Sequence, residues 1–185
     1  MDMLVDIPEG RSGPWSVERF EVDKSSVALM RLSFEGRGCR PGTYTRLNHA
    51  SRGVVMSDTP AEQRDHMGFI HRARGHVLIN GLGIGMCLRA VLRKLEVSAV
   101  TVVEVDPEVI ALVGPHYSDP RLEIVNASAF DYQPPKGVRY GAVWHDIWDT
   151  ICADNLPEMH RLHRKYGRRA DWQGSWCRWE CERNR

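Results

Sequence analysis

The stretch WHDIWD, residues 144–149, sets one imidazole and two carboxylates close together: His145, Asp146 and Asp149. Side chains of these types take a proton from a hydroxyl or a protonated amine, or hold an amine donor in place. Upstream, NGLGIG at residues 80–85 carries glycine at three alternate positions, Gly81, Gly83 and Gly85. A backbone of this kind turns tightly and leaves N–H groups open where a helix starts. Glu104 follows Gly81 by 23 residues, near the separation at which an acid accepts the hydroxyls of a ribose in dinucleotide folds. The nicotinamide fingerprint G-x-G-x-x-G is not met: its third glycine falls on Met86 counted from Gly81 and on Leu88 counted from Gly83. Each feature also has a plainer reading. The glycines can serve close packing of helix on strand, Glu104 can be a solvated strand end, Asp146 or Asp149 can cap a helix, and His145 can be a hydrogen-bonded core residue. Trp144 and Trp148 read as packing, with Trp148 a candidate pocket floor.

These groups are positioned by a pattern that changes near residue 60. Before it, WSVERFEV, SVALMRLSFEG, GTYTRLNH and RGVVMSD are short, partly alternating runs divided by Gly, Pro and Ser, the mark of strands. Thr59, Pro60 and Glu62 read as a capping box opening a helix to about Arg74, with Gly75 as its stop. HVLIN is then a short apolar strand, and Leu88, Val91, Leu92 and Leu95 lie on one helix face behind the glycines. AVTVVEV is a second strand, Asp106 and Pro107 open the next helix, and LEIVN and YGAVWH are the third and fourth strands. Apolar strands separated by helices imply a Rossmann-like α/β fold, a mostly parallel sheet flanked by helices. Ligands of such sheets sit at the carboxyl ends of the strands. The expected divisions are a β-rich N-terminal region at 1–58, a cofactor-binding core at 59–153 and a basic, Trp-rich helical tail at 154–185.

Composition bounds the function. A chain of 185 residues with 42% hydrophobic content has one domain's length and can bury a real core. The first fifteen residues carry acids and no apolar signal region, and no window approaches the ~20 apolar residues of a membrane span. Five scattered cysteines fit a reducing, cytoplasmic setting better than a disulfide framework. A net charge of +1 predicts no bulk affinity for nucleic acid. Residues 160–169, however, hold five bases and no acid, so any polyanion would meet the 161–169 segment.

VLINGLGIG, VTVVEVDPEVIALV, DPRLEIVNASAF and YGAVWHDIWD, in that order, resemble the core of class I S-adenosylmethionine-dependent methyltransferases, and within them the spermidine synthase-like branch, over about residues 54–150. The resemblance implies S-adenosyl-L-methionine as cofactor. It implies that Asn80, Gly81, Leu82, Gly83 and Gly85 form the turn beside the methionine part, and that Glu104, followed by Val105 and Asp106, binds the ribose. Ser128 and Ala129 would lie by the adenine, with Asp146 at the mouth of the site. Two residues depart from the branch's pattern: Ile84 stands where spermidine synthases carry an amine-binding aspartate, and Ser128 replaces the usual adenine-contacting acid. The function expected is thus methyl transfer to an unknown acceptor, a small molecule rather than a macromolecule. The alternatives are aminopropyl transfer, which Ile84 disfavours, and cofactor binding without catalysis.

No apolar run after residue 154 supplies further strands, so the chain reads as a shortened version of that core. Trp172, Trp176 and Trp179 at i, i+4 and i+7 read as a helical stripe that covers the open sheet near the fourth strand, or a second subunit in a homodimer. His160, His163, Cys177 and Cys181 are four residues of zinc-ligand type, but neither pair has the C-x₂-C spacing, and no metal is expected.

Overall fold

The computed structural model describes residues 3–25 and 39–184. Strands β1 (Gly10–Ser12), β2 (Trp15–Val22), β3 (Gly42–His49) and β4 (Gly53–Ser57) form an antiparallel sheet in that order. The expected run at residues 26–36 lies outside the described residues. Trp15, Val17 and Leu47 share one face of this sheet and pack into the main core, whereas Val22 and Tyr44 lie on the opposite face and pack with Cys39 in a small separate cluster.

Helix α1 (Pro60–Arg72) follows, ending two residues short of the expected Arg74. Its start corrects the capping box: the Thr59 side chain makes no cap bond. The Glu62 carboxylate instead reaches back to strand β4, accepting from the Ser57 hydroxyl at 2.7 Å and the Ser57 N–H at 3.0 Å.

The second sheet holds five parallel strands. Strands β5 (Gly75–Asn80), β6 (Val97–Glu104), β7 (Leu122–Asn126), β8 (Ala142–His145) and β9 (Gln173–Ser175) lie side by side in the order β7-β6-β5-β8-β9. Helices α2 (Met86–Leu92) and α3 (Pro107–Val113) connect the first three, and α4 (Leu156–Tyr166) precedes β9. The fold is therefore Rossmann-like, as the pattern of elements implies. Successive residues of β5 serve opposite faces. Val77 and Ile79 pack with Phe69, Ile70, Leu88, Val91 and Val109, whereas Leu78 packs with Val103, Val143, Leu162 and Tyr166. No helix among the described residues is long and apolar enough to cross a membrane.

Two details depart from the sequence reading. Helix α2 stops at Leu92, so Leu95 lies beyond the apolar face and is 98% exposed. The tail is only partly helical: between α4 and α5 (Arg178–Arg183) it adds β9, paired in register with β8 from Val143↔Gln173 to His145↔Ser175. The three tryptophans consequently share no helix. Trp172 precedes β9 and stacks on Trp144 with ring centroids 6.3 Å apart and planes 10° from parallel, and Trp144 stacks in turn on Phe69 of α1 at 5.3 Å. Trp176 follows β9 and is buried, while Trp179 lies on α5 and is 63% exposed. Residues 170–176 do dock beside the fourth strand, with a strand rather than a helix as the docking element, whereas residues 178–180 open α5, which packs on α4 and the turn before it.

Candidate functional site

The order of the parallel sheet reverses between β5 and β8, because chain connections run from β5 outward on one side and from β8 outward on the other. Strands diverge there and leave a crevice at their carboxyl ends. A cavity of about 320 Å³ occupies it, roofed by the antiparallel sheet. That volume is at the lower end of the ~300–1,000 Å³ usual for small-molecule sites.

The floor begins with the glycine turn. Gly81 has a φ of 100°, and a Cβ on it would collide with the main-chain oxygen of Asp146. Gly85 has a φ of 75°, and a Cβ there would enter the Tyr117 ring, whose hydroxyl donates to the Ile84 carbonyl at 2.7 Å. The turn is thus shaped by close approaches of protein to glycine, while Gly81 and Gly83 also border the cavity. Met56 of β4 closes the turn from above, its thioether accepting the Ile84 N–H at 3.2 Å. Ile84 itself is fully buried.

Glu104 ends β6 at the cavity wall. One carboxylate oxygen accepts the Leu82 N–H at 2.8 Å and the other the Asp106 N–H at 2.9 Å. Burial raises its pKa, and these two N–H groups oppose that shift by favouring the anion. The bonds fix the carboxylate plane, and each oxygen keeps a second lone pair for a further donor. Val105 beside it is 65% exposed, an apolar face bordering the cavity. Asp106 caps α3 through the Glu108 N–H at 3.0 Å and accepts the Trp15 indole N–H at 2.6 Å, which ties the antiparallel sheet to the crevice.

Asp146 follows β8, its N–H donating to the Asn80 carbonyl at 2.8 Å. Burial pushes its pKa up to about 8, and the negative charges of Glu62, Asp65 and Glu104 add to the effect. His66 of α1, fully buried, brings its Nε2 to 3.8 Å from Asp146 Oδ2. Asp149 also borders the cavity and pairs with Arg52 of the β3–β4 turn at 3.4 Å, while Arg52 lies over the Trp15 ring at 4.8 Å.

The structure gathers Gly81, Gly83, Glu104, Val105, Asp106, Ser128, Ala129, Asp146 and Asp149 around one cavity. Asn80, Leu82 and Gly85 support the turn from behind, and His145 is turned away altogether. It is fully buried, its Nδ1 is 2.8 Å from the Asn80 amide, and burial followed by His163 pushes its pKa down to about 3. A catalytic role for His145 has no geometric basis here, since β8 alternates its side chains and His145 falls on the face opposite the cavity. The four tail residues of zinc-ligand type do not assemble either. His163 bonds Ser175 Oγ at 2.9 Å and Arg178 at 3.1 Å, and the cluster of metal-ligating atoms found among the described residues lies elsewhere. Trp15, Arg52, Met56, Glu62 and His66 are cavity residues that the sequence reading did not assign, whereas Trp176 comes from the tail stripe expected to cover the sheet there. Only Glu62 and His66 carried a signal, four residues apart on one face of α1.

No family model matches the chain. Polyamine aminopropyltransferase 1 of Streptomyces coelicolor is 36% identical over 115 residues, covering 55% of this chain and 22% of that protein. The polyamine aminopropyltransferase of a Synechococcus species is 36% identical over 86 residues, covering 42% of this chain and 25% of that one. The matched stretches thus span about a quarter of those relatives. Among solved structures, spermidine synthase from Thermotoga maritima superposes with a TM-score of 0.44 at 23% identity, covering 69% of this chain and 49% of that one. A 23S rRNA methyltransferase does so at 0.43 and 19%, covering 60% and 43%. The neighbours in structure include methyltransferases and spermidine synthases, and the two curated relatives in sequence are polyamine aminopropyltransferases.

Proposed function

We propose that this chain binds S-adenosyl-L-methionine in the crevice and transfers its methyl group to a small acceptor held beside Asp146. The observation that carries the reading is Glu104, a carboxylate oriented by two main-chain N–H groups on the wall of a cavity at the sheet's reversal point. Its free lone pairs suit two vicinal hydroxyls, and exposed Val105 with Ala129 offers apolar surface for an adenine ring. Ser128 supplies a hydroxyl in place of the acid the branch usually carries there. Residues 59–153 form the cofactor-binding core in this reading, and the segments 1–58 and 154–185 supply walls.

Displacement at a sulfonium carbon asks mainly for alignment, worth about 7–11 kcal/mol when the reacting atoms are held in line. Asp146 adds the proton acceptor that a hydroxyl or ammonium acceptor needs. With a pKa near 8 it holds a proton at neutral pH, and a cation placed beside it favours the anion, which then takes the acceptor's proton.

Aminopropyl transfer is a second reading, favoured by the two polyamine aminopropyltransferases that match at 36% identity. Asp146 and Asp149 could hold an amine acceptor. Against it, the middle of the glycine turn offers buried, aliphatic Ile84 and no carboxylate. Calorimetric titration with S-adenosylmethionine, its demethylated product and its decarboxylated form separates the readings. Tighter binding of the first two supports methyl transfer, tighter binding of the third supports aminopropyl transfer, and no heat from any of them on folded protein overturns both. Binding without turnover over a panel of amines, thiols and hydroxyls would favour a non-catalytic binding protein.

A further inference from the structure

We propose that His66, Cys87 and Asp146 form a binding site for a borderline-soft divalent cation, best matched by zinc, at the base of the crevice. Three elements converge there: α1 brings His66, the first turn of α2 brings Cys87, and the end of β8 brings Asp146. Each offers one ligating atom, an imidazole nitrogen, a thiol sulfur and a carboxylate oxygen, and the three atoms lie within 4.8 Å of one another. His66 and Cys87 are buried, and the Asp146 side chain is only 16% exposed.

Tetrahedral zinc with bonds of about 2.0–2.3 Å sets its ligand atoms roughly 3.3–3.8 Å apart. The imidazole and carboxylate already stand at 3.8 Å, and no pair in the set is more than 4.8 Å apart, so a contraction of about 1 Å or less brings the set to that spacing. Imidazole and thiolate select zinc over magnesium or calcium, which take oxygen ligands. Three protein ligands leave the fourth position open, the arrangement of reactive rather than purely structural zinc sites. Two of the three, His66 and Asp146, border the cavity, so that position faces it.

Charge points the same way. The carboxylates of Glu62, Asp65 and Glu104 act electrostatically on Asp146, so the three ligating groups sit in a negative field. A dication is favoured in such a field. On binding, the thiol proton and the proton held by Asp146 pass to solvent, and a thiolate and a carboxylate coordinate the ion. Nothing is oxidised or reduced. The site does not depend on the sulfonium reading: metal and cofactor are titrated separately, and Asp146 serves as proton acceptor in the metal-free protein and as a ligand once the ion is bound.

The test is a titration of cobalt(II) into metal-free protein, without cofactor and with a non-thiol reductant. The site predicts a thiolate-to-cobalt charge-transfer absorption that saturates at one equivalent and is displaced by zinc. Cys87→Ser should abolish it, and Cys181→Ser should leave it unchanged. Zinc affinity from competition with a chromophoric chelator should fall in Cys87→Ser by more than the roughly 10–100-fold that loss of an outer-shell partner costs. Thermal melting checks that the variants fold, and Cys87→Ala replaces the serine variant if it does not. Folded wild-type protein that gives no such band at one equivalent, or a band that survives in Cys87→Ser, overturns the proposal. Sulfonium binding measured in the metal-free protein stands or falls on its own.

Discussion

His66 Nε2 on helix α1 lies 3.8 Å from Asp146 Oδ2 at the end of strand β8, with both side chains shut inside the crevice. The contact joins the helix that follows the antiparallel sheet to the parallel sheet's reversal point. It also places an acid where burial and three neighbouring carboxylates oppose its ionisation.

The folded protein therefore prefers Asp146 protonated, with a pKa near 8 against an ordinary 3.8. A raised acid contributes stability that is fully present below its unfolded pKa and is lost as pH rises through the folded one. Between pH 4 and 8, Asp146 thus costs increasing stability. Asp146→Asn should melt higher than wild type, by little at pH 4 and by an amount that grows about 1.4 kcal/mol per pH unit toward an upper bound of roughly 5 kcal/mol at pH 8, with roughly 2–4 °C expected per kcal/mol. Melting curves across that range check this. A gap that shrinks as pH rises would contradict it.

The histidines behind β8 act in the opposite direction. Burial, with His163 next for His145 and Arg178 next for His163, pushes their pKa values down to about 3 and about 4. A depressed histidine contributes stability present above its unfolded pKa of 6.5 and lost as pH falls toward the folded value. Stability should drop between pH 6.5 and 4, and His163→Gln should flatten that drop. Protonated His163 would face the Arg178 guanidinium at 3.1 Å, so amide exchange in α5 should quicken first on acidification.

The tail tryptophans should separate sharply. Trp172 stacks against Trp144 and Phe69, and its truncation to alanine should cost about 2–4 kcal/mol. Trp179 is 63% exposed, and Trp179→Ala should stay within about 0.5 kcal/mol of wild type. Deleting residues 170–185 removes β9 and should cost solubility by baring the β8 edge. Chemical denaturation and light scattering check the three variants. Equal effects from Trp172 and Trp179 would contradict the docking seen here.

The reaction itself is checked by offering decarboxylated S-adenosylmethionine with putrescine. Ile84 supplies no anion for a free amine, so no spermidine is expected. Turnover in that assay would move the aminopropyl reading to first place.

The parallel sheet was legible because its first four strands are apolar runs beside turn-forming residues: β5 begins at Gly75, and β6 ends just before Asp106 and Pro107. Strand β9 was not, since Gln-Gly-Ser carries no apolar signal and is a strand only because β8 offers it an open edge. The tryptophan periodicity misled for the same reason: tertiary pairing overrode a local helical spacing. At the site, Glu104 and Asp146 were readable from their positions at strand ends. Trp15, Arg52 and Met56 reach the cavity from the antiparallel sheet, a docking that leaves no local pattern. His145 shows the limit of reading by proximity in sequence, because one residue along a strand exchanges cavity for core.

The most direct test of the central claim is calorimetric titration of S-adenosylmethionine into wild type and Glu104→Ala. A carboxylate accepting two hydroxyls contributes about 1.5–3 kcal/mol per bond. Wild type should bind and the folded variant should bind at least about tenfold more weakly, with the same loss for the demethylated product. Equal affinity in the two proteins, or no binding by folded wild type, would contradict it.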